Sequence, residues 1–171
     1  MPALARKLGP TALVLAGALA MSACAHKAPK ELPPEPGPTT VRDDGQLGAV
    51  PGSQADFVQV MSGSDTIYFD TDKYDIDATD QLALAKQAQW LRKYPSKRAS
   101  VEGHADERGT REYNLALGER RANAAKNYLI SLGVDPSRLS TVSYGKERPV
   151  ALGSDEQAWA QNRRAVTVTI D

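Results

Sequence analysis

The chain has 171 residues, enough for one domain of ordinary size plus targeting and linker segments. Hydrophobic residues make up 41% and charged residues 25%, the composition of a soluble globular protein rather than of a disordered or membrane-spanning one. Lys plus Arg and Asp plus Glu both number 21, so no global positive field exists to gather nucleic acid, and no nucleic-acid partner is expected.

Residues 1–23 read as a signal peptide, with Arg6 and Lys7 as the basic start, an apolar run over residues 8–20, and the small residues Ser22 and Ala23 at its end. The apolar run is too short to span a bilayer. Cys24, the single cysteine, follows directly, and Met21-Ser22-Ala23-Cys24 resembles the lipobox of bacterial lipoproteins, with Met21 where Leu is usual. The alternative is a plain secretory signal with an incidental cysteine. The lipobox resemblance implies that Cys24 becomes the mature N-terminus, carrying a diacylglyceryl thioether and an N-acyl chain of the palmitate type, more than stable anchoring requires. Ala25 follows, and the aspartate that marks inner-membrane retention is absent, which implies sorting to the outer membrane. Cleavage removes two basic residues and no acid, leaving 19 basic against 21 acidic.

Residues 24–52 carry Pro29, Pro33, Pro34, Pro36, Pro38 and Pro51 among small and polar residues, with almost no apolar periodicity. This stretch reads as a tether that, in extended polyproline form at about 3.1 Å per residue, reaches on the order of 80 Å.

The globular domain is expected over 53–171. Ser53 is a candidate N-cap for a helix with Phe57, Val60 and Met61 on one face, followed by the Gly63 break and a strand near 66–69. Asp77 and Asp80 mark the start of a second helix, Leu84, Ala88 and Leu91 share its face, and Pro95 ends it. A strand over 98–102 leads through a loop at 105–110 into a long helix over 112–132, with Leu117, Ala124, Tyr128 and Leu132 as the expected buried stripe and Gly133 as its stop. Asp135-Pro136 opens a short helical turn before a strand over 139–144. Ser154 and Gln157 suit a capping box for a helix through Trp159, and 165–170 is the last strand. The alternation implies an α+β fold, a two-layer sandwich of helices on a mixed four-stranded sheet.

The loop Gly103-His104-Ala105-Asp106-Glu107-Arg108-Gly109-Thr110 is the most charged and glycine-marked turn of the domain, set between a strand end and a helix start, where ligands commonly bind. Asn114, Leu117 and Arg121 follow on one helical stripe, so Arg121 and Asp106 can face one another. A carboxylate and a guanidinium with a gap between them suit a zwitterion, the acid taking an ammonium and the planar fork a carboxylate. Spacing alone favours a plain structural salt bridge over such a site.

Beyond spacing, Ile67-Tyr68-Phe69-Asp70, Asp72-Lys73-Tyr74-Asp75-Ile76, the Gly103–Thr110 loop with Val101-Glu102 before it, Glu112-Tyr113-Asn114, Leu117-Gly118-Glu119-Arg120-Arg121-Ala122, Val142-Ser143-Tyr144-Gly145 and Asn162-Arg163-Arg164-Ala165 resemble the peptidoglycan-associated lipoproteins within the broader OmpA-like domain family. The likeness runs from about residue 66 to 170. It implies non-covalent binding of the meso-diaminopimelate of the peptidoglycan stem peptide, with Asp106 and Arg121 as principal ligand residues and Asp72, Asn114 and Leu117 lining the same site. It also implies partnership with TolB and other Tol proteins, and a role in drawing the outer membrane inward at division. Thr71 departs from the family pattern, standing where relatives often carry Phe, and removes an aromatic wall.

His104 near Glu102 and Asp106 invites an enzyme hypothesis, a metal site or general base. The only other histidine is His26 in the tether, and neither an HExxH motif nor a cysteine cluster exists, so no catalysis, metal or cofactor is expected apart from the lipid on Cys24. Trp90 and Trp159 are expected as core or interface anchors rather than sugar platforms. Arg163 and Arg164 brace either the site or the sheet. Three readings thus compete: a wall-binding outer-membrane lipoprotein with its domain in the periplasm, a lipoprotein wall hydrolase, and an OmpA-like lipoprotein serving another envelope machine without TolB.

Overall fold

The computed structural model describes residues 48–170, so the signal segment, Cys24 and most of the tether lie outside the described residues. Four helices and a 3-10 turn alternate with four strands: α1 (Gln54–Met61), β1 (Thr66–Tyr68), α2 (Ala78–Lys93), β2 (Arg98–His104), α3 (Arg111–Ser131), the turn Pro136–Arg138, β3 (Leu139–Gly145), α4 (Glu156–Asn162) and β4 (Arg164–Ile170). Helix starts follow local chemistry. The side chains of Ser53, Asp77 and Thr110 each accept from the backbone N–H three residues on, satisfying donors that the first helical turn leaves free.

The sheet order is β1-β4-β2-β3, with β4 antiparallel to both neighbours and β2 parallel to β3. A parallel pair needs a long crossover, and α3 provides it. Alternation along the strands sends Ile67, Ala99, Val101, Ala165 and Thr167 toward the helices. There they join Phe57, Met61, Leu84, Leu91, Ala122, Ala125 and Leu129 in a single core. Trp90 belongs to that core, meeting Phe57 edge-on at 5.0 Å and donating from its indole N–H to Asp56 at 2.9 Å.

Four local readings change. The buried stripe of α3 is Leu117, Arg121, Ala122, Ala125 and Leu129, whereas Ala124, Tyr128 and Leu132 are only half-buried on its flank. The cause is a backbone contact: a Cβ on Gly103 would fall 1.8 Å from the Gly118 carbonyl oxygen, so β2 and α3 touch where both lack side chains, and this seam fixes the rotation of the helix. Strand β2 runs two residues further than expected, to His104, with a bulge after Gly103. Asp155 rather than Ser154 caps α4, its carboxylate accepting from the Ala158 N–H at 2.8 Å. The fold also begins before Ser53: Gly52 is buried against Tyr94, and its N–H reaches Asp56.

Candidate functional site

The Gly103–Gly118 seam seats the end of β2 against the first turns of α3, so the loop between them folds over the helix start. Asp106 opens that loop as an Asx turn, its Oδ1 accepting from the Arg108 N–H at 3.1 Å. The Arg108 guanidinium then returns onto the same carboxylate, Nε to Oδ1 at 3.0 Å and Nη2 to Oδ2 at 2.7 Å. Arg163 stands on another side, Nη1 3.6 Å from Oδ2. Burial alone would raise the Asp106 pKa, but the hydrogen bonds from Arg108 and the charges of Arg108 and Arg163 outweigh it and hold the carboxyl below the usual range. It is an anion at neutral pH.

Arg108 also donates to the Thr71 hydroxyl at 3.1 Å, and its guanidinium stacks 4.2 Å from the Trp159 ring, whose N–H is tied to Glu107 at 3.0 Å. Thr71 therefore replaces an aromatic wall with an anchor for Arg108. Trp159 is not a core residue; it is half-buried and holds a guanidinium. Asp72 sits at positive φ, 57°, a conformation Asp tolerates better than most residues, and accepts from the Tyr113 hydroxyl at 3.2 Å. Asn114 is buried and donates to the Arg108 carbonyl at 2.8 Å, fixing the loop to α3.

These residues enclose a cleft of about 240 Å³, lined among others by Asp72, Asp106, Arg108, Asn114 and Leu117. Four of the five expected ligand-site positions thus share one cavity. The fifth, Arg121, stands behind it and is 0% exposed. Its Nε, Nη1 and Nη2 donate to the carbonyls of Lys73, His104 and Asp70 at 2.9, 2.8 and 3.0 Å. Asp106 pairs with Arg108 and Arg163 rather than with Arg121, so the two residues do not face one another across an open gap. Burial draws the Arg121 pKa down to about 10 while Asp106 pushes it back up, which leaves a charged guanidinium beneath the cleft.

Sequence reasoning missed Arg108 as the partner of Asp106, although an acid two residues before an arginine in a turn is a readable signal. It left Arg163 and Arg164 undecided. Arg163 braces the site, donating to the Phe69 carbonyl at 2.9 Å and to Glu156 at 2.7 Å beside Asp106. Arg164 belongs to the sheet and the loop after β3, donating to the Arg148 carbonyl at 3.2 Å. Among the described residues no group of three or more His, Cys, Asp or Glu is placed to hold a metal, and no helix is long and apolar enough to cross a membrane.

The OmpA family profile matches residues 68–163. A protein of Agrobacterium fabrum named peptidoglycan-associated lipoprotein is 52% identical over 159 residues, 93% of this chain and 86% of that one. The crystal structure of the peptidoglycan-associated lipoprotein from Burkholderia pseudomallei is 48% identical, with a TM-score of 0.60 over 61% of this chain and 89% of that one. The C-terminal domain of Helicobacter pylori MotB, 24% identical with a TM-score of 0.58 over 62% of this chain and 84% of that one, shares the fold. The first two relatives are named for a wall association and a lipid, not for a reaction. The chain belongs to the OmpA family and, within it, to the peptidoglycan-associated lipoproteins.

Proposed function

We propose that the protein is an outer-membrane lipoprotein, anchored through lipid on Cys24 with its domain in the periplasm, that grips peptidoglycan non-covalently by the meso-diaminopimelate of the stem peptide. It links membrane to wall, maintains envelope integrity and, with TolB and other Tol proteins, draws the outer membrane inward at division. Residues 1–23 serve as the signal peptide, the stretch from Cys24 as the tether, and the folded part, which takes in Gly52, as the wall-binding domain.

The observation that carries this reading is the charge arrangement of the cleft. Asp106 and Asp72 present carboxylates to a cavity of about 240 Å³, Arg108 lines it, and Arg121 lies behind, with no carboxylate among the described residues in ion-pair contact. A free amino-acid end carries both charges on one carbon and suits such a surface: its ammonium goes to Asp106, its carboxylate to the guanidinium side where Arg108 and Arg121 lie. The relatives' names support association with peptidoglycan.

Co-sedimentation with purified sacculi tests it. The protein should pellet with sacculi, and free meso-diaminopimelate should release it where Nα-acetyl-lysine, whose ammonium and carboxylate sit on different carbons, does not. Failure to pellet, or equal release by both compounds, would overturn the reading. Added TolB should also release the domain, because both partners are expected to use the loop over 103–110.

A further inference from the structure

A second cavity lies on the other face of the sheet. Strand alternation turns Thr66 and Tyr68 of β1, Glu102 and His104 of β2, and Arg164 and Val166 of β4 away from the core, and with Arg148, Pro149 and Val150 they line an open hollow of about 530 Å³. This is separate from the wall-binding cleft. His104 stands between the two: its carbonyl accepts from Arg121 on the cleft side, while its ring stacks 5.5 Å from Tyr144.

The hollow holds unmet polar capacity. His104 is 2% exposed, and neither ring nitrogen has a hydrogen-bond partner among the described residues. Buried polar groups are normally satisfied, so an imidazole with a free donor and a free acceptor marks a place where a partner is missing. Burial, with the charges of Arg164 and Arg148, draws the ring's pKa down to about 4, so it is neutral and carries one N–H. Arg164 is buried and donates to the carbonyls of Asn162 and Arg148, at 3.4 and 3.2 Å, and among the described residues no carboxylate is in ion-pair contact with it. Arg148 is exposed, with its guanidinium 3.7 Å from the Tyr144 ring centre, and among the described residues no acid is in ion-pair contact with it. Glu102 is the single acid of the lining, leaving the hollow net positive. Its rim is apolar: Tyr68 is 52% and Val150 61% exposed. A cationic floor inside an exposed apolar rim is the arrangement of a protein contact built around one desolvated charged anchor.

We propose that this hollow docks a partner protein through an Asp or Glu side chain, held by Arg148 and Arg164 with the His104 ring beneath, next to an apolar residue seated on Tyr68 and Val150. The site is independent of peptidoglycan, and its test contains none.

Titration of the isotope-labelled full-length chain with acetyl-Glu-Val-amide, followed by NMR, reads it directly. The His104 ring and Arg164 Nε–H signals should shift saturably, the acetyl-Gln-Val-amide twin should bind at least about tenfold more weakly, and Arg148→Glu should abolish the response. Because Arg148 is exposed, that variant keeps its fold. Equal response to the Glu and Gln peptides, no response up to the solubility of the Glu peptide, or undiminished binding by Arg148→Glu would each overturn the proposal. A stronger response to inorganic phosphate than to the Glu peptide would also overturn it, making the hollow an inorganic-anion site.

Discussion

Arg108 clasps Asp106 from within the same loop, Nε to Oδ1 at 3.0 Å and Nη2 to Oδ2 at 2.7 Å, so the acid of the cleft carries a bidentate guanidinium before any ligand arrives. A zwitterion entering such a pair exchanges partners instead of stranding charges. On the proposed reading its ammonium would replace Arg108 on Asp106, and the freed guanidinium, still placed by Thr71 and Trp159, would meet its carboxylate. This exchange avoids the cost of a buried unpaired charge, the dominant penalty in sites of this kind.

Asp106→Asn therefore separates binding from folding. The amide keeps the shape and an acceptor for the Arg108 backbone N–H but loses the charge. Loss of a charged hydrogen bond costs about 1.5 to 3 kcal/mol, so sacculus binding should weaken by roughly one to two decades. Arg163 keeps Glu156 and the Phe69 carbonyl, and Tm should move by only a few degrees. Undiminished co-sedimentation by this variant would remove Asp106 from the site.

Arg121→Lys behaves differently. Three carbonyls from two separate segments converge on the guanidinium, and one ammonium on a flexible stem cannot meet all of them in the same geometry. Each buried acceptor left unmet costs about 1 to 3 kcal/mol, so Tm should fall by roughly 10 °C alongside the loss of binding. A variant with unchanged Tm in thermal unfolding would show that Arg121 serves only the ligand. The reading from helical spacing alone expects that second outcome, because it places Arg121 in the cleft rather than behind it.

The difference shows what a sequence can carry. Caps at Ser53 and Asp77, strand alternation at β2 and β4, and the ligand loop itself are local patterns, readable from residue types a few positions apart. The surroundings of Arg121 are not local, since two of its acceptors lie 48 and 51 residues away, on the segment between β1 and α2. Arg163 reaches Asp106 because β4, the last strand in the chain, inserts between β1 and β2. No periodicity announces that insertion. The rotation of α3 was likewise hidden, because two glycines that touch across layers leave no hydrophobic mark.

Gly103→Ala tests that seam. The new Cβ would meet the Gly118 carbonyl at 1.8 Å, a backbone atom that cannot swing aside, so α3 must lift from β2. A loss on the order of 4 kcal/mol is expected in urea unfolding. Gly48→Ala, with nothing within 4 Å of its Cβ, is the control and should be neutral. Equal midpoints for the two variants would mean the seam yields easily.

Cys24→Ser tests the anchor. Without the thioether no acyl chains are attached, and the protein should leave the membrane pellet in fractionation while the isolated domain still binds sacculi. Persistence in outer-membrane vesicles stripped of peptidoglycan would make the lipid reading wrong.

The pH dependence of stability should show two buried groups working against each other. His104 is neutral in the fold down to about pH 4, whereas an unfolded histidine takes a proton near 6.5, so its contribution is complete above 6.5 and is lost as pH falls toward 4. Asp80 runs the other way. Burial pushes its carboxyl up to about 6 from 3.8, with the Tyr68 N–H lowering it only in part, so folding is penalised above pH 6 and the penalty is relieved as pH falls toward 3.8. Each effect amounts to about 3 kcal/mol at most, and between pH 4 and 6 they largely cancel. Asp80→Asn retains an acceptor for Tyr68 but removes the ionisation. It should stabilise the domain at pH 7 to 8 by about 2 kcal/mol and uncover a steep fall in urea midpoint from about pH 6.5 to 4. His104→Phe should uncover the opposite slope, with stability rising as pH falls from about 6 to 4. Midpoint curves for both variants that run parallel to the parent across this range would show that neither group titrates as its burial requires.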